Sequence, residues 1–135
     1  MTKLPPAFYS AVLFALTLSL LACGSSAPRH LLSATVAPAA ATASSFPNGM
    51  VQFTATGTFD RPPSSAMLNP AVWELAPSAS YPPDAVSITT SGVAQCKAGF
   101  VGTATVRGGA FRCPDNSKLG VPCALVFGTA QLTCP

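Results

Sequence analysis

Between Val51 and Phe59 the chain reads VQFTATGTF, which sets Val51, Phe53, Ala55, Gly57 and Phe59 on one side of an extended backbone. Gln52, Thr54, Thr56 and Thr58 take the other side. A period of two with one apolar side marks a strand that buries one face and wets the other. The same period recurs along the chain, and no stretch carries a sustained helical stripe. Leu32, Ala34 and Val36 alternate with Ser33 and Thr35 until Pro38 interrupts, as at an edge strand. In AVWEL, Ala71, Trp73 and Leu75 face one way and Val72 and Glu74 the other, which makes Trp73 the expected largest core anchor. Val86 with Ile88, Val93 to Ala98, Ala104 with Val106, and Gly128 to Cys134 supply further strands. Pro47-Asn48-Gly49 and Ser91-Gly92 turn the chain, and Asp60 to Pro70 reads as an irregular proline-rich connection. The expected fold is all-β, a two-sheet sandwich of about seven strands.

Upstream of this body lies a different pattern. Phe8 to Ala22 is an uncharged apolar run, preceded by Lys3 and followed at once by Cys23, Gly24, Ser25 and Ser26. That is the layout of an export signal. A membrane span needs about 20 apolar residues, and Pro5 and Pro6 block extension toward the N-terminus, so an uncleaved anchor is the weaker reading. The end of the run, Leu20-Leu21-Ala22-Cys23, resembles the lipobox of bacterial lipoproteins. The resemblance implies cleavage before Cys23, a diacylglyceryl thioether on its sulfur and acylation of the freed amine. Two or more acyl chains anchor a protein firmly, because each buried methylene adds about 0.8 kcal/mol. Ordinary secretory cleavage after Gly24 is the alternative. Residues 1–22 are thus read as the signal peptide, 23–30 as the lipidated cysteine and its tether, and 31–135 as the exported domain. The tether segment GSSAPRH is small and polar and holds His30, the chain's one histidine, read as a solvated linker residue.

The segments SATVAPAAATASSFPNGMVQFTATGTF, AVWEL and SGVAQCKAGFVGTATV together resemble the bacterial immunoglobulin-like domains of the Big type. The features that carry the likeness fall on Pro38, Val51 to Gly57, Trp73 and Gly102 to Val106, over roughly residues 31–135. This implies an immunoglobulin-like sandwich of the kind found in adhesins and envelope proteins. Two departures stand out: a long proline-rich connection before Trp73, and a cysteine-bearing insertion between the last two strands. Loop-borne functions of other members therefore do not transfer.

Setting Cys23 aside leaves Cys96, Cys113, Cys123 and Cys134, an even number in an exported chain, where disulfides persist. Four cysteines allow three pairings. Alternation puts Cys134 on the face of Ala130 and Leu132 and Cys96 on that of Ala94 and Ala98, which favours Cys96 with Cys134 and Cys113 with Cys123. Sequential pairing, Cys96 with Cys113 and Cys123 with Cys134, stays open. A zinc or redox site is disfavoured, because there is no Cys-x-x-Cys and no neighbouring histidine.

Other chemistry has little material. Charged residues make up 8% of the chain, seven Lys/Arg and four Asp/Glu, with no basic run to follow a nucleic-acid backbone. No serine has an imidazole in the body of the chain to serve it, and Asp60, Glu74, Asp84 and Asp115 are scattered. Neither a metal site, a cofactor motif nor a catalytic constellation is expected. Arg107 and Arg112, flanking Gly108-Gly109 near an expected strand end, are at most contacts for an anionic glycan or headgroup, and Tyr81 and Phe111 are the loop aromatics a glycan would use. The expected protein is a non-catalytic envelope lipoprotein with a structural or adhesive module, held to the membrane by its lipid and meeting an envelope protein or glycan. The alternative is a periplasmic accessory, an inhibitor or assembly factor binding one envelope partner. Gly24 stands where an aspartate retains some lipoproteins at the inner membrane, so the resemblance implies the outer membrane.

Overall fold

The computed structural model describes residues 28–78, 81–113 and 122–135. The export signal, Cys23 and the first part of the tether lie outside those residues, as does Asp115. The described chain is all-β. In order it forms β1 (Leu31–Ala37), β2 (Ala40–Thr42), β3 (Met50–Gln52), β4 (Thr54–Phe59), β5 (Ser65–Met67), β6 (Val72–Leu75), β7 (Val86–Ile88), β8 (Val93–Cys96), β9 (Gly102–Arg112) and β10 (Ala124–Cys134). Hydrogen bonding groups these strands into three sheets, with orders β1-β4-β5, β2-β10-β9-β6 and β3-β8-β7. All pairs are antiparallel except β2 with β10.

The strand count exceeds the expected seven, and the extra strands arise from breaks within single alternating runs. VQFTATGTF is divided at Phe53, whose N–H donates to the Gly92 carbonyl at 2.9 Å instead of to a neighbouring ladder. Its first half therefore pairs with β8 and its second with β1 and β5. Pro38 divides the first run in the same way: β1 pairs with β4, while β2 moves to the edge of β10. The proline-rich connection is also more ordered than its composition suggests. Ser65–Met67, its proline-free stretch, folds back on Thr56–Thr58 as β5. Likewise Gly108-Gly109 lies inside β9 and not at a strand end, because β9 and β10 extend as an 11-residue ladder from Cys134↔Gly102 to Ala124↔Arg112.

One face of the alternating run is buried as expected: Val51, Phe53 and Ala55 are inaccessible or nearly so, with Phe59 half-buried at the end. Val51, Phe53 and Ala55 make the core together with Val36, Val86, Ala94, Ala104, Val106, Ala130, Leu132 and Cys134. β1 lies against β9 and β10, so the core is enclosed from opposite sides by strands of different sheets. Phe53, and not Trp73, is the largest fully buried side chain; Trp73 is half-buried and packs at the margin of this cluster.

The expected face of β1 is corrected in its first residues. A bulge between Leu31 and Ser33 inserts one residue against Phe59 and Thr58 of β4. An extra residue reverses which side chain points inward. Leu31 is consequently buried at 4% exposure and Leu32 stands out at 53%, while Val36 keeps its inward place. Leu31→Ala is expected to lower stability by about 2 to 3 kcal/mol and Leu32→Ala by under about 0.5 kcal/mol. Denaturant midpoints of the two variants check this, and the reverse order would contradict the bulge.

Candidate functional site

The four later cysteines form two disulfides, Cys96–Cys134 and Cys113–Cys123, with Cα separations of 5.9 and 4.1 Å. Cys96 closes β8 and Cys134 closes β10, so the first bridge ties the third sheet to the second, two sheets that share no ladder. The second bridge joins the chain just beyond β9 to the chain just before β10. Sequential pairing is excluded by this arrangement. Both thiol pairs are consumed structurally, which removes them as nucleophiles or metal ligands. Among the described residues no three His, Cys, Asp or Glu side chains gather around a common point.

Trp73 is positioned by β6, where it stands opposite Gly108 of β9. The missing side chain at Gly108 is what admits the indole: a Cβ there would lie 2.4 Å from its Cζ3. The ring also covers Gly92, whose φ of 84° closes the turn before β8 and whose Cβ position would be 2.8 Å from the ring. Beside the indole opens a hollow of about 390 Å³, bounded by Gln52, Thr54, Met67, Asn69 and Ser91 among others. Gln52 is held on its rim by donating Nε2 to the Phe53 carbonyl at 2.7 Å and the Ser91 carbonyl at 2.9 Å. Met67, 69% exposed, adds a flexible thioether. None of the described lining side chains ionises, so these residues offer apolar contact and neutral hydrogen bonds. Gln52 and Met67 escaped the sequence reading because an alternating strand and a proline-rich loop give no sign that they share a rim.

The two arginines singled out by sequence do not act together. Five residues apart on one strand, they point to opposite faces. Arg107 Nη1 donates to Glu74 Oε1 at 3.0 Å across the β6–β9 ladder, and its guanidinium lies 5.8 Å from the Phe127 ring centroid. Arg112 instead borders a second hollow, of about 110 Å³, with Arg29, His30, Phe59 and Phe111. The Arg29 guanidinium sits 4.5 Å from the Phe59 ring centroid, and its Nη1 donates to the Pro63 carbonyl at 2.9 Å. The expectation that His30 belongs to a solvated linker is corrected as well. Its N–H donates to Asp60 Oδ1 at 2.8 Å and its carbonyl accepts the Asp60 N–H at 3.1 Å, so the end of the tether is docked on the domain. Nothing local in GSSAPRH signals this, since the partner lies thirty residues on.

Of the two expected loop aromatics, Tyr81 is half-buried: it donates its hydroxyl to the Ala76 carbonyl and meets Phe100 edge to face at 6.1 Å. Phe111 is 60% exposed, but it belongs to β9. The remaining carboxylate of note is Asp84, which pairs with Lys97. Its carboxyl is held below the usual aspartate value of 3.8, chiefly by the hydrogen bond from Lys97, then by that ammonium's charge and a hydrogen bond from its own backbone. A depressed folded-state value adds stability above the unfolded value and loses it as pH falls through the folded one. Stability should therefore decline slightly below pH 3.8, and Asp84→Asn should flatten that part of the acid limb. The effect is small because the pair is exposed. A pH series of denaturation midpoints for both proteins checks the difference.

Comparison with models of known protein families finds no match, and comparison with curated proteins finds no similar sequence.

Proposed function

We propose that this chain is a bacterial envelope lipoprotein, anchored through Cys23, whose exported part is an immunoglobulin-like sandwich acting without catalysis as a structural or adhesive module. The observation that carries the proposal is the juxtaposition in one chain of a lipobox-like Leu20-Leu21-Ala22-Cys23 and a disulfide-stapled β domain whose described hollows hold no reactive arrangement. Strand order supports the immunoglobulin-like reading. The β3–β4 run pairs with β1 and β5 through its second half and with β8, followed by β7, through its first; β2, β10, β9 and β6 form a separate sheet, with Trp73 on β6 against β9. Two disulfides fit an oxidising compartment outside the cytoplasm.

The neutral hollow beside Trp73 favours a second reading, a periplasmic accessory that receives one envelope partner there. Protease treatment of intact cells separates the two. An adhesive module on the outer surface is cut from intact cells, whereas a periplasmic accessory is cut only after the outer membrane is opened. Recovery of the chain in the cytosol, with reduced cysteines, would overturn both.

A further inference from the structure

The domain end from which the tether departs carries a cationic and aromatic surface. Arg29, His30, Phe59, Phe111 and Arg112 are among the residues that line the 110 Å³ hollow. Arg29 and Arg112 are exposed, and Arg29 is held in place by its ring and carbonyl contacts instead of waving freely. Phe111, next to Arg112 at the end of β9 and so on the other face of that strand, borders the same hollow and is 60% exposed. Among the described residues Asp60 is the carboxylate of this neighbourhood, and its Oδ1 accepts from the His30 N–H. Arg29 lies six residues after Cys23, a span of at most about 20 Å, so a lipid on that cysteine keeps this end within headgroup distance.

We propose that this surface docks on anionic phospholipid headgroups, with Arg29 and Arg112 meeting the phosphates and Phe111 entering the interfacial layer. The proposal rests on the reading of Cys23 as the lipidated residue. Guanidinium groups pair with phosphate oxygens in two-pronged fashion, and arginines beside an exposed aromatic ring suit a bilayer interface, where one part of the surface is charged and the next apolar. Docking sets the orientation of the domain: β9 and β10 run away from the bilayer from Arg112 and Ala124, carrying the hollow beside Trp73 outward.

Arginine footprinting with phenylglyoxal on the native protein in vesicles tests this, read residue by residue by mass spectrometry. In phosphatidylcholine vesicles containing phosphatidylglycerol, Arg29 and Arg112 should react about fivefold more slowly than in pure phosphatidylcholine, the factor given by about 1 kcal/mol per charge at an anionic surface. High salt should restore the rates. Arg107, paired with Glu74, should react alike in both and serves as the internal reference. Equal rates for Arg29 and Arg112 in the two compositions, whether both fast or both slow, would overturn headgroup docking. Failure of the Cys23 reading shows separately, as protein carrying no acyl chain; the same footprint is then taken with vesicles added to the soluble chain, where unchanged rates again overturn the docking surface.

Discussion

Replacing Cys96 and Cys134 together by alanine is expected to lower stability by about 4 kcal/mol, the value for freeing a loop of 38 residues in the unfolded chain. The same change at Cys113 and Cys123, which close a loop of 10, should cost about 3 kcal/mol. The ranking has a second cause in the folded state. Cys134 is 1% exposed within the core and joins sheets that share no backbone ladder, whereas Cys113 and Cys123 are exposed beyond the ends of β9 and β10, which already pair over 11 residues. Guanidinium unfolding of the two double variants and the parent measures both losses. A larger loss from the Cys113–Cys123 pair would contradict the structural role assigned to the first bridge.

Phe53→Ala should cost about 3 to 5 kcal/mol, since the ring is inaccessible to solvent and lies among side chains from β1, β3 and β7 to β10. The position also governs chain direction. The Phe53 N–H is committed to Gly92, at the point where the run leaves one sheet for the next, so a cavity here loosens the junction as well as the core. Phe53→Leu, which keeps most of the volume, should recover more than half of the loss. Equal midpoints for Phe53→Ala and the parent would place the ring outside the core.

The residues that were legible in sequence are those whose environment follows from their neighbours. Val51, Phe53, Ala55 and Gly57 share a buried face because side chains on a strand must alternate, and the inward sides of Cys134 and Ala94 follow from the same rule. The inversion at Leu31 and Leu32 was not legible, because a bulge depends on register with β4 and leaves no local mark. Nor was β5, where Ser65–Met67 answers the open edge of β4 against its proline-rich surroundings. Trp73 fell between these cases. Its strand and facing were readable, but its half-exposed seat depends on Gly108 and Gly92, two glycines distant in sequence. The hollows share that character: Arg112 and Arg29 border one hollow only because β1 begins where β9 ends.

The most direct test of an anchored, exported β domain is the mass of the amino-terminal tryptic peptide from protein purified out of its own membrane. The expected fragment runs from Cys23 to Arg29 and carries a diacylglyceryl group on sulfur and a fatty acyl group on nitrogen. An unmodified fragment beginning at Ser25, or an uncleaved chain beginning at Met1, would contradict the lipid anchor on which the proposed role depends.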